Sequence, residues 1–477
     1  MSLVKNRGAR AWLLSPIALA LIACAQVAPV APPRVEVPPA YKGAATPASR
    51  DESRISLNWW ELYGDEELNR HQAELLERSP DLASALARHE QAQAAMSAVR
   101  STQAPTVGVG LGAQRLRQSE LRPLRVLGPN SPDRYNSATA ELDLSYEVDL
   151  WGRVRQRVAA GEAELRAADA DLQGARLSLQ AQLADSWLAL RGADAELSLL
   201  RETLTSYERA VELLDARHRQ GISSGLDLAR AQGQADATRS QLKQAQARRA
   251  VLEHSVAALI GANASTFSVA PRVVKFTTPA IPVGLPSELL ERRPDIRAAK
   301  ERVSAAAASV GVAKAAFFPA LTLGAQGGFQ SSDFSRFIEA PNLFWAIGPS
   351  LAVTLFDGGR RKAEQARTEA VLDEAGQRYR GVVLGAFQQV EDQLALLNNY
   401  ADAAASEQAA AASANRALEM AESRYRGGAA NYLDVLTAQT AQLLARRAEL
   451  DLLTRQRRAS VQLIRALGGG WSPGAEA

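Results

Sequence analysis

The chain has little of several things. It has one cysteine, Cys24, which leaves that thiol no partner within the chain. Aromatic residues make up only 5% of the sequence. Neither charge sign dominates: Lys and Arg number 55 against 52 Asp and Glu, and they are spread along the chain. No basic face follows, which argues against nucleic acid as a partner. The four histidines, His71, His89, His218 and His254, show no metal-ligand spacing, so no metal centre is expected. Proline is absent from 133 to 270 and from 350 to 472. Beyond the first residues, no apolar run is long enough for a transmembrane helix. If the chain crosses a membrane, it does so as strands of a closed barrel.

What is present is Ala, Leu, Gln, Arg and Glu at helical spacing, the composition of long helices packed on one another. The N-terminus has a different character. Lys5, Arg7 and Arg10 precede an apolar run from Ala11 to Ala23, too short to span a bilayer but right for a signal peptide. It ends Leu21-Ile22-Ala23-Cys24, which resembles the bacterial lipobox. Residues 1–23 are therefore read as a lipoprotein signal, with covalent lipid on Cys24. Ala25 after the cysteine is the residue that, by resemblance, favours outer-membrane delivery. Residues 24–60 are Pro- and Ala-rich at first and read as an extended tether.

The rest is a tandem duplication. RAVELLDARHRQGISSGLDLARAQ from Arg209 aligns without a gap on RALEMAESRYRGGAANYLDVLTAQ from Arg416. Arg217 pairs with Arg424, Gly221 with Gly428 and Asp227 with Asp434. Each copy is a helix, a glycine break and a second helix, an αα-hairpin made twice. Further upstream, Glu77 to Leu82 aligns on Glu291 to Ile296, and Pro105 on Pro319. The first copy needs a short insertion, placed at Leu121 to Asp133. The repeats are assigned to 61–270 and 287–468, with a Pro-rich linker or equatorial segment at 271–286 and a disordered tail at 469–477.

Each copy carries two strand-like segments after its first helices. Val107, Val109, Leu111 and Ala113 alternate with Gly or Gln. Leu142, Leu144, Tyr146, Val148 and Leu150 alternate with Glu141, Asp143, Glu147 and Asp149. The second copy repeats this from Leu321 to Gln330 and from Leu343 to Leu355. Period-two alternation of this length predicts strands with one apolar and one wet face, the pattern of a membrane barrel. Pro349 argues against a central position for the last strand. The four acids are expected to face a lumen. Long helices follow each pair, with breaks expected at Arg191-Gly192 and at Asn398-Asn399. Stacked end to end from Arg360 to Arg426 they span on the order of 100 Å. That length suits a tube bridging a wide gap.

Taken in order, several short motifs resemble the lipoprotein branch of the outer-membrane factor family, the TolC-like and OprM-like (NodT-type) efflux ducts. They are the lipobox at Cys24, Asn58-Trp59-Trp60 with Tyr63-Gly64-Asp65, and Asp149-Leu150-Trp151-Gly152-Arg153. Leu355-Phe356-Asp357-Gly358-Gly359-Arg360 and Tyr425-Arg426-Gly427-Gly428 with Asn431-Tyr432-Leu433-Asp434 complete the set. The resemblance implies a mainly α fold with a membrane β-barrel part. In a homotrimer, each protomer gives four strands to one twelve-stranded outer-membrane barrel and its helices to a long periplasmic helical barrel. The implied partners are a periplasmic adaptor, an inner-membrane pump of the RND type and outer-membrane lipid. The implied activity is passive conduction of small molecules, drugs first among them, with no catalysis and no cofactor.

The resemblance also implies roles for single residues. Asp434 matches a gate position where three carboxylates ring one axis, which repel one another and bind cations. Tyr425 matches a latch position. Thr437 joins them at the gate, where a second acid often sits, and Ala430 stands where some members carry a latch arginine. Gly221, Gly225, Gly427 and Gly428 mark the hairpin tips that meet the adaptor. Asp227 is read only as a helix cap. Gly221-Ile222-Ser223-Ser224-Gly225 spells a hydrolase elbow but follows a helix, where the elbow needs a strand. The competing readings are a metal-ion or type I secretion duct, and a lipid-anchored coiled-coil scaffold without a pore.

Overall fold

The computed structural model describes residues 33–43, 55–119, 134–274 and 277–470. Cys24, the signal segment and the expected insertion lie outside the described residues. The chain forms two compact units, one built from 90–167 and 299–379, the other from 34–89, 168–298 and the chain after 380. Both units draw on both copies of the duplication, so the repeat boundary is not a folding boundary.

The first unit holds all four strands described: β1 (Thr106–Arg117), β2 (Arg134–Val148), β3 (Ala320–Ser331) and β4 (Leu343–Ala352). They form one antiparallel sheet in the order β1-β2-β3-β4. Register puts Val109 opposite Leu142, Leu142 opposite Gly327, and Gly327 opposite Trp345. The apolar positions therefore fall on one face of all four strands. β4 is an edge strand of this sheet, which is where a chain tolerates Pro349. It ends at Ala352, short of the expected Leu355. Below the sheet, Trp151 stacks on Phe318 at 5.0 Å and donates its indole N–H to the Pro319 carbonyl at 2.6 Å.

The second unit is helical, and the first unit contains helical residues as well as the strands. Helices α1 (Glu66–Arg78) and α2 (Pro80–Arg100) precede the sheet, and α3 (Arg153–Arg219) and α4 (Gly225–Leu259) follow it. The second copy repeats them as α5 (Pro286–Arg292), α6 (Pro294–Ala315), α7 (Arg360–Arg426) and α8 (Tyr432–Ala466). Both α3 and α7 have 67 residues, and both α4 and α8 have 35. The proline-free sequence explains their length, since nothing removes a ladder donor.

The two expected breaks are absent: α3 runs through Gly192 and α7 through Asn399. Gly192 is a packing residue, because a Cβ there would lie 2.6 Å from Thr454 Oγ1 on α8. The Asn399 amide donates back to the Ala395 carbonyl at 2.7 Å and stays within the helix. At 1.5 Å per residue each long helix spans about 100 Å.

The main core lies where α1, α3, α4 and α8 meet. Trp59, Leu68, Leu75, Leu183 and Trp187 are fully enclosed there. Asp65 opens α1 by accepting the Glu67 and Leu68 N–H groups, and its other oxygen takes the Trp187 indole N–H at 3.0 Å. A buried ion cluster closes one end. The Asp194 carboxylate, wholly enclosed, accepts from Arg191 at 2.9 Å and Arg249 at 2.7 Å. Those guanidiniums also donate to the Ala270 and Val269 carbonyls, and Asp194 accepts the Arg272 N–H at 3.2 Å, which ties down the start of the linker. In the second copy Asn398 stands at the position of Arg191 and donates to the Gly43 carbonyl at 2.9 Å. Glu391 there accepts the Lys42 and Gly43 N–H groups. The N-terminal segment and the linker thus cross equivalent helices in the same way.

Candidate functional site

Two places carry the residues singled out in the sequence. The first is the sheet. Val109, Leu111, Trp345 and Ile347 expose 73, 82, 74 and 75% of their surface, though all are apolar. In water such a face would be an aggregation surface, and its open edges at β1 and β4 would template further pairing. In lipid, with the edges closed on further strands, both features are satisfied.

The opposite face is polar. Glu141 and Asp143 project from β2 between glycines of β1: the register pairs Asp143 with Gly108 and Glu141 with Gly110. A Cβ at Gly108 would meet the Asp143 carboxylate at 2.5 Å, so the glycines make room for the acids. Glu147 shares the face but is bound by Arg153 through two hydrogen bonds. Asp149 does not share it. It lies beyond the end of β2 and accepts the Val154 and Arg155 N–H groups at 3.0 and 2.9 Å, capping α3. Burial pushes the Asp149 carboxyl up, but those N–H groups and the Arg155 guanidinium together hold it below the ordinary range.

The second place is the pair of hairpin tips, both in the helical unit. They close identically. Gly221 and Gly428 each adopt φ 72° and leave the helix with the same two bonds. Ile222 N–H reaches the Arg217 carbonyl, and Ala429 N–H reaches the Arg424 carbonyl. This left-handed helix ending favours glycine. Gly225 opens α4 and Gly427 precedes the turn glycine of the second tip. Ser224 caps α4 through the Leu226 N–H, so Asp227 is not the cap; it sits in the first turn, 3.9 Å from Arg230. Ser223 donates to the Leu214 carbonyl. Both serines of the G-x-S-x-G string thus serve the turn.

Asn431 caps α8 through the Asp434 N–H at 3.0 Å. The Asp434 side chain is exposed, and no ion pair engages it among the described residues. Thr437 is exposed one turn on, its hydroxyl bonded to the Leu433 carbonyl. Tyr425 and Tyr432 meet edge to face at 5.7 Å and pack with Leu214 and Val435. Arg217, on the first copy, donates to the Tyr425 hydroxyl at 3.3 Å and lies over its ring. The guanidinium beside Tyr425 therefore comes from Arg217 on α3. No spacing in the sequence linked Arg217 to Tyr425, because the contact crosses the two copies. Burial, then the Tyr425 and Tyr207 phenols and Asp227, pushes the Tyr432 phenol up to about 12. A cavity of about 190 Å³ lies between α3, α7 and α8 beside these rings, with Gln439 among its walls.

The family described as outer membrane efflux protein matches residues 73–262 and 285–469. The outer membrane protein OprJ of Pseudomonas aeruginosa is 32% identical over 466 residues, which cover 96% of this chain and 95% of OprJ. The pyoverdine export outer membrane protein OpmQ of Pseudomonas putida is 33% identical over 463 residues, 96% of this chain and 97% of OpmQ. The crystal structure of the Campylobacter jejuni CmeC outer membrane channel superposes with a TM-score of 0.88 at 25% identity, over 95% of this chain and 96% of that one. The outer-membrane channel OprN superposes as well, with a TM-score of 0.84 at 30% identity over 94% of this chain and 100% of that one, and this chain has the fold of these channels. The chain belongs to the outer membrane efflux protein family.

Proposed function

We propose that this chain is the outer-membrane exit duct of a tripartite efflux system. It works as a homotrimer that takes cargo from an RND-type inner-membrane pump through a periplasmic adaptor. One observation carries the reading: a four-stranded sheet with an exposed apolar face, a polar face bearing Glu141 and Asp143, and two open edges. Three such sheets joined edge to edge leave no unpaired strand, put the apolar face in lipid and enclose the acids. The duct conducts and performs no chemistry; the pump supplies the energy. Its cargo is small organic molecules, drugs among them; the name of OpmQ assigns that relative pyoverdine.

Lipid on Cys24 adds a second attachment to the outer membrane. One acyl chain alone binds marginally, whereas a lipidated chain that also contributes barrel strands stays. The tips at Gly221, Gly225, Gly427 and Gly428 meet the adaptor. The periplasmic gate is formed by Asp434, Tyr425 and Thr437, with the Asp434 carboxylates of three protomers gathered near one axis. Deleting the gene in a strain without a redundant duct is expected to raise sensitivity to pump substrates. An unchanged susceptibility profile contradicts the proposal. Sensitivity confined to metal ions would replace organic cargo with metal.

A further inference from the structure

The sheet carries a basic ladder at the strand ends remote from the helices. α2 leads into β1 and β2 leads into α3, so Arg117 and Arg134 mark the far end of the first hairpin. The register is unbroken to that end: Arg115 pairs with Asn136 and Arg117 with Arg134. Side chains alternate between faces, so these four residues fall on the apolar face, the face of Val109 and Leu142. The opposite face agrees. Gln118 donates to the Tyr135 hydroxyl at 2.8 Å and Gln330 to the Ser137 hydroxyl at 3.4 Å, all from positions on the Glu141 side.

The length of the apolar face fixes the depth of the ladder. On β2 that face runs from Val148 to Ala138, about 34 Å along the strand and about 25 Å across a bilayer at barrel tilt. This is the height of the apolar band of an outer-membrane barrel. The next positions on the same face are Asn136 and Arg134, with Arg115 and Arg117 beside them. The guanidiniums therefore lie at the level of the lipid headgroups, where an arginine on the lipid face is tolerated.

The charges there lack an answer from the chain. Arg115 and Arg134 are exposed and enter no ion pair among the described residues. Arg134 faces the guanidinium of Arg117, and like charges directly opposite are destabilising. No carboxylate lies on this face of the four strands. The β3–β4 tip is different: Arg336 lies 3.6 Å from Glu339, and Asp333 accepts the Ser335 N–H and hydroxyl. An anion between the arginines removes the repulsion. Guanidiniums take phosphate oxygens in pairs, and the Asn136 amide adds a donor. Phosphate is also the anionic group of lipid headgroups, and clustered basic residues at that level bind it.

We propose that Arg115, Arg117 and Arg134 bind the phosphate of an outer-leaflet lipid headgroup, one site per protomer. The site rests on the barrel reading above, which puts this face in lipid.

The test uses the purified full-length protein in detergent. The probe is lipid A with both phosphates, against the same lipid with both removed, and native mass spectrometry of the oligomer reads both affinities. The phosphorylated lipid is expected to bind about tenfold more tightly, the difference a charge-assisted contact makes. In Arg115→Gln with Arg134→Gln that preference disappears. In Arg336→Gln, which removes a charge from the same end of the sheet outside the ladder, it stays. Chemical cross-linking that traps the oligomer reads the folding of each variant. Equal affinities in the native protein overturn the proposal and leave a solvated rim, whatever the variants do. A preference that survives the double substitution, or is lost in Arg336→Gln, overturns it as well. Inorganic phosphate that displaces the lipid at equal concentration makes free phosphate the ligand and overturns the lipid assignment. Equal affinities in a protein that conducts in planar bilayers remove the site and leave the duct. The preference in a protein that carries no current keeps the site and contradicts the duct.

Discussion

Asp194 has no solvent contact and answers two guanidiniums at once, Arg191 and Arg249. Removing it leaves Arg191 only Glu67 and Arg249 only Glu253 as acidic partners. Asp194→Ala is expected to cost about 3–5 kcal/mol, the range for breaking an enclosed pair by deleting one partner. A thermal unfolding midpoint within a degree or so of native would show that the linker does not depend on this cluster. Tyr432 makes a pH prediction. Its phenol ionises near 10.0 when exposed and about 12 in the folded chain, so the native state holds its proton more tightly. The packing it supports is complete below the lower value and is lost as pH rises through the upper. Burial also raises the Tyr41, Tyr63, Tyr207 and Tyr379 phenols, so in the tyrosinate absorbance titration of the native protein Tyr432→Phe should remove one of several late groups and leave the others. Titration of that group near 10 would mean the hairpin tip is open to water.

At the scale of elements, the sheet depends on Gly328. A Cβ there would lie 2.0 Å from the Ala140 carbonyl oxygen and 2.7 Å from the Glu141 Cα, both backbone atoms that cannot step aside. Gly328→Val is expected to break the β2–β3 pairing and abolish the oligomer that chemical cross-linking of the purified protein traps. The oligomer surviving intact would show that this register is not required. Strand identity was legible in the sequence because period-two alternation depends only on which side faces lipid. The hairpins were legible because a duplicated Gly turn marks both. The helix breaks were misread, since Gly192 and Asn399 look like breakers until packing against Thr454 and bonding to Ala395 are seen. Asp149 was misread as a strand residue because the alternation continues past Val148, where the chain has already turned to cap α3. The Arg217–Tyr425 contact had no local signal at all, because it joins residues from opposite copies.

For the whole molecule, a four-stranded sheet with two open edges is incomplete in lipid, so its edges must close on further strands, which the proposed trimer supplies from two more copies of the chain. Cysteines placed in β1 and β4, at Val109 and Ile347 for a first pair, are expected to cross-link neighbouring chains into a covalent trimer. A panel along both edges that yields only monomers would contradict edge-to-edge closure. The most direct measurement is single-channel conductance of the purified full-length protein in planar bilayers. The account predicts discrete, cation-favouring steps that grow larger in Asp434→Ala, as the ring of carboxylates is removed. Folded oligomers that insert and carry no current would contradict it and leave a scaffold without a pore.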